Sequence, residues 1–231
     1  MQRTDFSHSW QFQYGPGGAG TKPDSTWTTV DLPHDASIAL PRREDAVGSG
    51  SNAFYPGAVC WYEKELPLAA SDMGKTILLE VEGAYMNAAV LVNGHLAGRR
   101  PYGYSSFHND LTPWLKPGAN RIRVEVNNGG LANTRWYSGS GLYRNVRLLT
   151  GDTVRIEPWS LQVVTPEPTQ EHATVDISLS IRNDRPQAVS AWIRLELWPA
   201  GLAGCEAPVG EPIGSLEIPV SLAAGDSTRA T

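Results

Sequence analysis

Hydrophobic and polar residues alternate along much of this chain with a period of two. Isoleucine and valine alternate with arginine and glutamate from Arg121 to Val126, and Thr76 to Val81 alternates in the same way, with Glu80 on the polar face. This pattern is typical of antiparallel strands that bury one face. Apolar residues at helical spacing are almost absent, so the sequence predicts an all-β protein.

Turn residues separate these segments at short intervals, and the chain has 23 Gly and 17 Pro to form them. Asn93-Gly94, between AAVLV and HLAG, is a favoured pair for a type I′ turn and predicts a hairpin. Thr112-Pro113-Trp114-Leu115 is the one helical signal, because Thr can cap a helix and Pro suits its first position. The following Pro117-Gly118 limits that helix to one turn.

The alternating pattern starts again in the second part of the chain. Residues 175–181 place Val175, Ile177, Leu179 and Ile181 on one face, and further strands are predicted at 191–198 and 213–220. We expect a domain boundary at 150–152, with one domain over 1–150 and a second over 151–231. Four strands can be recognised in the second domain.

Composition and charge exclude several classes of partner. Of the 231 residues 41% are hydrophobic, enough for sizeable cores, and the net charge is −5 with a pI near 5.5. No basic run is present, so we expect neither nucleic acid nor membrane as a partner. Cys60 and Cys205 fall in different predicted domains, which disfavours a mutual disulfide. The first residues lack the apolar segment of a signal peptide, so we expect a cytoplasmic protein, or a secreted one if the N-terminus was trimmed.

Two pairs of carboxylates were weighed as catalytic groups. Glu63/Glu65 and Glu80/Glu82 are two residues apart on predicted strands, so each pair shares a face with a separation of roughly 6.6 Å. Glycoside hydrolysis uses two carboxylates about 5 to 10 Å apart. Spacing alone does not exclude a catalytic role for these pairs. We favour the interpretation that they lie on solvated strand faces, where they face water or Lys and Arg partners.

Five segments occur in a characteristic order: DLPHDASI (31–38), YPGAVCWYEKEL (55–66), VEGAYMNAAVLVNGHLAG (81–98), YGYSSFHNDLTPWL (102–115) and RWYSGSGLYRNV (135–146). Together they resemble the N-terminal sugar-binding domain of family 2 glycoside hydrolases, and their sequences are most similar to the β-galactosidase branch. The resemblance implies a jelly-roll, galactose-binding-domain-like β-sandwich followed by an immunoglobulin-like β-sandwich. It also implies that the catalytic barrel, with its two glutamates, lies beyond this chain.

The resemblance assigns roles to individual residues. Asp110 resembles the aspartate of the family's F-x-x-DLT motif, which helps to hold the sugar and in some members a sodium ion; from the residues alone, Asp110 would bond backbone N–H groups near Thr112. Asp35, Asn52, Arg135 and Trp136 are further candidates for sugar contact, although a structural role is open for each. The relatives usually carry Trp where this chain has Ala36.

We therefore expect the non-catalytic portion of a β-galactosidase-like enzyme, inactive alone, that completes the substrate pocket and braces the barrel. Its partners would be a β-galactoside or related carbohydrate, the barrel, and in the full enzyme a second copy in a homo-oligomer. No cofactor is expected in this chain; sodium or magnesium belongs to the full enzyme. The alternatives are a stand-alone carbohydrate-binding module or lectin, and the same family acting on β-glucuronides or β-mannosides. The 81 residues from Gly151 fall short of the about 100 of an immunoglobulin-like domain, so that domain is expected to be incomplete.

Overall fold

The computed structural model describes residues 1–15, 26–130, 136–199 and 210–230. The chain divides into two compact units, Met1–Asp152 and Thr153–Thr231. Regular structure in the described residues consists of strands and three short 3₁₀ turns, at Ser49–Asn52, Ala70–Asp72 and Thr112–Trp114. The protein is therefore all-β, as the alternating pattern predicts.

The first unit is a sandwich of two antiparallel sheets. A six-stranded sheet has the order β3-β2-β4-β9-β6-β7, and a four-stranded sheet has the order β1-β10-β5-β8. The strands are β1 (Gln2–Asp5), β2 (Trp10–Tyr14), β3 (Thr28–Val30), β4 (Val59–Leu68), β5 (Thr76–Val81), β6 (Ala88–Val92), β7 (His95–Arg100), β8 (Phe107–Asp110), β9 (Gly118–Asn127) and β10 (Val146–Gly151).

The core of this unit lies between the two sheets. Trp10 and Tyr62 from the larger sheet and Leu79 from the smaller one are fully buried in a single apolar cluster. The predicted alternation of β9 is confirmed, since Ile122, Val124 and Val126 are completely buried while the residues between them are not. Burial of a large apolar side chain contributes about 1.5 to 3 kcal/mol, so this core stabilises both sheets together.

The predicted hairpin is confirmed. Asn93 and Gly94, both with positive φ (51° and 89°), connect β6 to β7. The predicted one-turn helix is the 3₁₀ turn Thr112–Trp114, but its N-cap residue is Leu111 rather than Thr112. The Thr112 hydroxyl instead accepts a hydrogen bond from the Ile77 N–H at 2.9 Å.

Strand β5 differs from its prediction as a half-buried strand. All six of its residues are buried, so both of its faces are covered, and its two edges are paired with β10 and β8. Glu80 lies on the face predicted to be polar, and its side chain is only 5% exposed because Arg3 pairs with it at 2.6 Å. Period-two alternation reports which residues share a face, but not whether another part of the chain covers the polar face.

The second unit is built around β13, which pairs antiparallel with β11, β12 and β16, while β14 pairs with β15 over nine residues. Among the described residues of this unit, the buried apolar cluster has four members, Leu179, Ile181, Ile193 and Leu222. The strands are β11 (Val154–Ile156), β12 (Gln162–Val164), β13 (Asp176–Asn183), β14 (Val189–Leu197), β15 (Gly214–Leu222) and β16 (Ser227–Ala230).

Four strands can be recognised in the sequence of the second unit, whereas its described residues contain six. The three shortest strands, β11, β12 and β16, have only three or four residues, too few to show an alternating pattern. The surface of this unit carries large apolar side chains, including the exposed Trp192, Ile213 and Leu216. An open apolar groove runs between the Ile177 side of β13 and the β14–β15 pair.

Candidate functional site

The carboxylate of Asp35 connects two loops of the first unit. Its Oδ1 accepts hydrogen bonds from the backbone N–H groups of Ser37 at 2.9 Å and Ser140 at 3.0 Å. Its Oδ2 accepts the hydroxyl proton of Tyr137 at 2.6 Å. Bonds to an ionised carboxylate are roughly twice as strong as neutral ones. Asp35, a predicted sugar contact, therefore fixes the 137–140 segment against the loop that precedes β4.

Glycine is required where the 137–141 segment approaches its neighbours. A Cβ on Gly139 would lie 2.8 Å from Asp35 Oδ2, and Gly139 has a φ of +67°. A Cβ on Gly141 would lie 2.2 Å from the Tyr62 hydroxyl, and its φ is +109°. The two glycines in the SGSG sequence thus allow the backbone to pass close to Asp35 and Tyr62 in conformations that L side chains rarely adopt.

Asn52, a second predicted sugar contact, is buried with 1% exposure. Its amide donates to the Tyr55 carbonyl at 2.9 Å, and its Oδ1 accepts the Ser138 N–H at 3.1 Å. Both ends of the amide are therefore bound within the chain, and Asn52 fastens the 137–141 segment from a second side.

His34 and Tyr62 form a pair beneath the same segment. His34 Nδ1 lies 2.8 Å from the Tyr62 hydroxyl, which also bonds the Leu142 backbone. Burial lowers the pKa of His34, and burial raises the pKa of Tyr62 well above its usual value. The imidazole therefore stays neutral at pH 7 and serves as a hydrogen-bonding support for this segment.

Ala36, the position at which the sequence departs from the pattern it resembles, is completely buried. Its carbonyl accepts a hydrogen bond from the Tyr14 hydroxyl at 2.8 Å, and its N–H donates to the Ser140 carbonyl at 2.8 Å. Tyr14 and Ser140 thus support the loop at Ala36.

Trp136 lies at the surface with 57% exposure, and its indole N–H donates to the Tyr104 hydroxyl at 3.0 Å. Tyr104 comes from the loop between β7 and β8, so the structure brings the YGYSS and RWYSGSG segments together. Sequence reasoning named Trp136 and missed Tyr104; the only signal was the unusual Tyr-Gly-Tyr sequence. Arg135, another predicted sugar contact, lies outside the described residues.

Asp110 occupies a different place from the Asp35 loops. Asp110 is the last residue of β8 and Phe107 is the first. The two lie three positions apart, about 10 Å along the strand, and Phe107 is at the end that follows the Tyr104 loop. Asp110 is exposed, and its Oδ1 accepts the Thr112 N–H at 2.9 Å. This is the backbone contact expected from the residues alone, and the exposed carboxylate remains open to solvent.

Three of the four glutamates considered as catalytic groups, Glu63, Glu80 and Glu82, carry arginine partners. Glu63 pairs with Arg123, which also lies over the Trp61 ring. Glu82 pairs with Arg147 at 2.9 Å and with Arg3 at 2.7 Å, and these cations lower the pKa of Glu82 against the opposing effect of burial, the largest single influence on it. A general acid needs a raised pKa, so Glu82 is tuned in the wrong direction for proton donation.

The described residues form neither a cluster suited to a metal ion nor a helix suited to a membrane span. No group of three or more His, Cys, Asp or Glu side chains in this part of the chain is arranged to hold a metal ion. None of the helices in the described ranges has the length and apolar character to cross a membrane. Cys60 is buried with a free thiol, and burial raises its pKa to about 12; Cys205 lies outside the described residues.

Comparison with known proteins shows that the chain is similar to part of several glycosidases. No family model matches it. A β-galactosidase of Bacteroides ovatus is 38% identical over 188 residues, which are 79% of this chain and 22% of that protein. A putative β-glucuronidase of Formosa agariphila is 31% identical over 182 residues, covering 78% of this chain and 18% of that protein. The chain thus spans about a fifth of the length of these relatives.

Solved structures show the same likeness over the whole chain. A glycosyl hydrolase family 2 member from Bacteroides cellulosilyticus superposes with a TM-score of 0.83 and 29% identity, covering 100% of this chain and 30% of that one. A β-glucuronidase of Bacteroides uniformis gives a TM-score of 0.80 at 23% identity and supports the fold alone.

Proposed function

The relatives and structural neighbours of this chain are family 2 glycoside hydrolases, and from this premise we propose that the chain is the non-catalytic, N-terminal portion of such an enzyme. Its role is to form one wall of a sugar-binding site whose catalytic groups belong to the remainder of the protein. The observation that carries the proposal is the extent of the match: the whole chain corresponds to 30% of a family 2 member.

The ionisable groups of the first unit support a non-catalytic role. Glu63, Glu80 and Glu82 are each held by an arginine, in the arrangement expected of structural ion pairs rather than of an acid and a nucleophile facing a substrate. Asp35 has three hydrogen-bond donors of its own. The chemistry of bond cleavage therefore has to come from elsewhere in the enzyme.

The loops held by Asp35 support a role as a rigid wall. Two carboxylate oxygens, the Asn52 amide and two glycines fix the 137–141 segment. A rigid wall positions a substrate better than a mobile one, because the entropy of ordering is not lost on binding. Asp110, with its exposed carboxylate, is proposed as a separate point of contact, where a charged acceptor could bind two sugar hydroxyls.

A β-galactoside is the proposed substrate class of the complete enzyme. The β-galactosidase of Bacteroides ovatus is more similar to the chain, at 38% identity, than the putative β-glucuronidase of Formosa agariphila, at 31%. Activity on a β-glucuronide or a β-mannoside is the alternative, and the test below measures both.

The proposal is tested with a graft, in which this chain replaces the matched segment of the Bacteroides ovatus β-galactosidase. Three proteins are compared on nitrophenyl β-galactoside, β-glucuronide and β-mannoside: the intact relative, the relative without the segment, and the graft. We expect deletion to lower kcat/KM by about 10² or more, about 2.7 kcal/mol, and the graft to recover most of the loss on the galactoside. A folded deletion protein with unchanged kcat/KM would contradict the proposal.

A further inference from the structure

Strand β14 of the second unit has one edge that no described strand covers. Among the residues that the structure describes, β14 (Val189–Leu197) pairs with β15 alone, through nine consecutive pairs without a bulge. In an antiparallel pair, every second residue points its N–H and C=O away from the partner strand. The other edge of β14 therefore presents a row of backbone donors and acceptors, which is a template for a further strand.

The outer edges of β14 and β15 differ in how they are protected. Proteins protect exposed strand edges with proline, lysine, bulges or charges that point inward. β15 carries Pro219 in its middle, and proline within a sheet lies where its missing N–H would face solvent. β14 has no proline, glycine or lysine over its nine residues, and its inward residues Ile193 and Leu195 are apolar. The β14 edge is thus the one that can accept a strand.

The sequence of this edge is complementary to itself. The residues from Trp192 to Trp198 read WIRLELW. Read backwards about the central Leu195, this sequence places Trp on Trp, an apolar residue on an apolar residue, and Arg on Glu. Two copies of β14 related by a two-fold axis at Leu195 run antiparallel and form all of these pairs at once. Directly opposed residues of an antiparallel pair share a face, so each side chain meets one of matching chemistry.

The charged pair on the outward face selects the register. Within one copy, Arg194 Nη2 lies 2.6 Å from Glu196 Oε1. In the register centred on Leu195, Arg194 of each copy lies opposite Glu196 of the other, so four charges of alternating sign form one network. A shift by one residue would put the apolar inward residues on the outward face. A shift by two would oppose Arg194 to Arg194 or Glu196 to Glu196, and like charges disfavour association.

The same register covers apolar side chains that are exposed in one copy. Leu197 and Leu216 are 46% and 57% exposed, although they lie on the face that Ile193 buries, and they line the open apolar groove beside β13. In the centred register, Leu197 of one copy lies opposite Ile193 of the other. On the outward face, the exposed Trp192 lies opposite Trp198. Pairing of two copies therefore removes apolar surface from water on both faces.

We propose that the β14 edge binds a second copy of this chain, as an antiparallel β14–β14 pair centred on Leu195. The seven paired residues extend over about 23 Å of strand, a smaller contact than the about 800 Å² per partner of a standard interface. We therefore expect a reversible dimer that forms at chain concentrations of about 10 to 100 µM, in the range of weak, transient interfaces. The inference goes beyond the proposed function and does not depend on it, because it requires only the residues of β14.

Sedimentation equilibrium of the 231-residue chain tests the proposal, at concentrations from about 5 to 500 µM that bracket the expected Kd. The mass should rise from 25.1 kDa toward twice that value. Arg194→Glu and Glu196→Arg each oppose like charges in both pairs and should each weaken association at least about tenfold. Glu171→Arg is the matched control, since it makes the same change of charge at an exposed position outside the strands, and association should not change.

An equimolar mixture of Arg194→Glu and Glu196→Arg distinguishes contacts between copies from contacts within one strand. Opposite charges face each other only when one variant pairs with the other, so the mixture should associate as the unchanged chain does. Three results would overturn the proposal: a mass of 25.1 kDa at every concentration, undiminished association of both single variants with melting curves that show them folded, or a mixture that associates no better than either variant alone. None of them bears on the graft experiment, which measures kcat/KM, so the two proposals fail separately.

Discussion

Asp35 and Tyr137 are 102 residues apart in the sequence and joined by a hydrogen bond of 2.6 Å from the Tyr137 hydroxyl to Asp35 Oδ2. Burial raises the pKa of Tyr137, and the bond to Asp35 raises it further. The same carboxylate also binds the backbone of Ser37 and Ser140. One side chain therefore joins the first and last of the five sequence segments that carry the family resemblance.

Replacing Asp35 tests how much of the first unit depends on this connection. Asp35→Ala removes the carboxylate that accepts three hydrogen bonds and leaves the Ser140 N–H without this acceptor. The free energy of unfolding should therefore fall by about 3 kcal/mol. Asp35→Asn keeps one oxygen for the two N–H groups and should cost less than half as much. Urea unfolding followed by circular dichroism measures both. Asp45→Ala, which removes an exposed pair with Arg43, is the control and should have no measurable effect. Equal stability of Asp35→Ala and the unchanged chain would show that the loops do not need the carboxylate.

Alanine substitutions at Gly141 and Gly94 distinguish the cost of backbone strain from the cost of steric overlap. Both have positive φ, +109° and +89°, but a Cβ on Gly141 meets the Tyr62 hydroxyl at 2.2 Å while one on Gly94 has nothing within 4 Å. Gly94→Ala should cost about 1 kcal/mol from φ alone, and Gly141→Ala about 3 kcal/mol or more. Thermal melts of the two variants provide the comparison. Similar melting temperatures would mean that the Tyr62 hydroxyl can move away at little cost.

His34 gives the first unit a specific response to acid. Because burial lowers its pKa from the ordinary 6.5, the unfolded chain takes up a proton below pH 6.5 that the folded chain does not. The unfolded state then binds more protons, so stability falls as the pH falls below 6.5 through the folded pKa, and it is fully present above 6.5. His34→Gln should be less stable at pH 7 but should lose less stability between pH 7 and pH 5. Parallel loss of stability in both proteins would assign the acid response to other groups.

The sequence predicts the local features of this fold well. The faces of β9 and the Asn93-Gly94 hairpin follow from patterns within ten residues, because side-chain alternation and turn conformation are properties of neighbouring positions. Burial of the second face of β5 and the short strands of the second unit were not predicted. Both depend on which distant segments pack alongside, and no local pattern records that.

The candidate site also has features that the sequence predicts and features that only the folded chain shows. Asp35, Asn52 and Trp136 could be named because they belong to segments that resemble the family. That Asn52 is buried and that Asp35 bonds three partners could not be predicted, since three of the partners of these two residues lie 86, 102 and 105 residues further along the chain. Tyr104 joins Trp136 across 32 positions, and only the folded chain shows that they share a surface.

Asp110 is the residue for which a sugar contact and a backbone contact lead to different results. Asn at this position keeps an oxygen for the Thr112 N–H but loses the charge, so Asp110→Asn should leave stability unchanged. In the graft, Asp110→Ala should lower kcat/KM on nitrophenyl β-galactoside by about 10² and Asp110→Asn should be similarly impaired or intermediate. Loss of stability by about 1 kcal/mol in Asp110→Ala, with kcat/KM of the folded protein intact in both variants, would assign Asp110 to the backbone contact alone.

The central claim, that this chain carries no catalytic pair of its own, is tested most directly by incubating the purified 231-residue chain with nitrophenyl β-galactoside, β-glucuronide and β-mannoside. We predict no release of nitrophenol above the blank on any of the three, because Glu63, Glu80 and Glu82 are held in ion pairs with arginines. Release by the homogeneous chain that is abolished in Glu63→Gln or Glu80→Gln would contradict the account and place the catalytic groups within this chain.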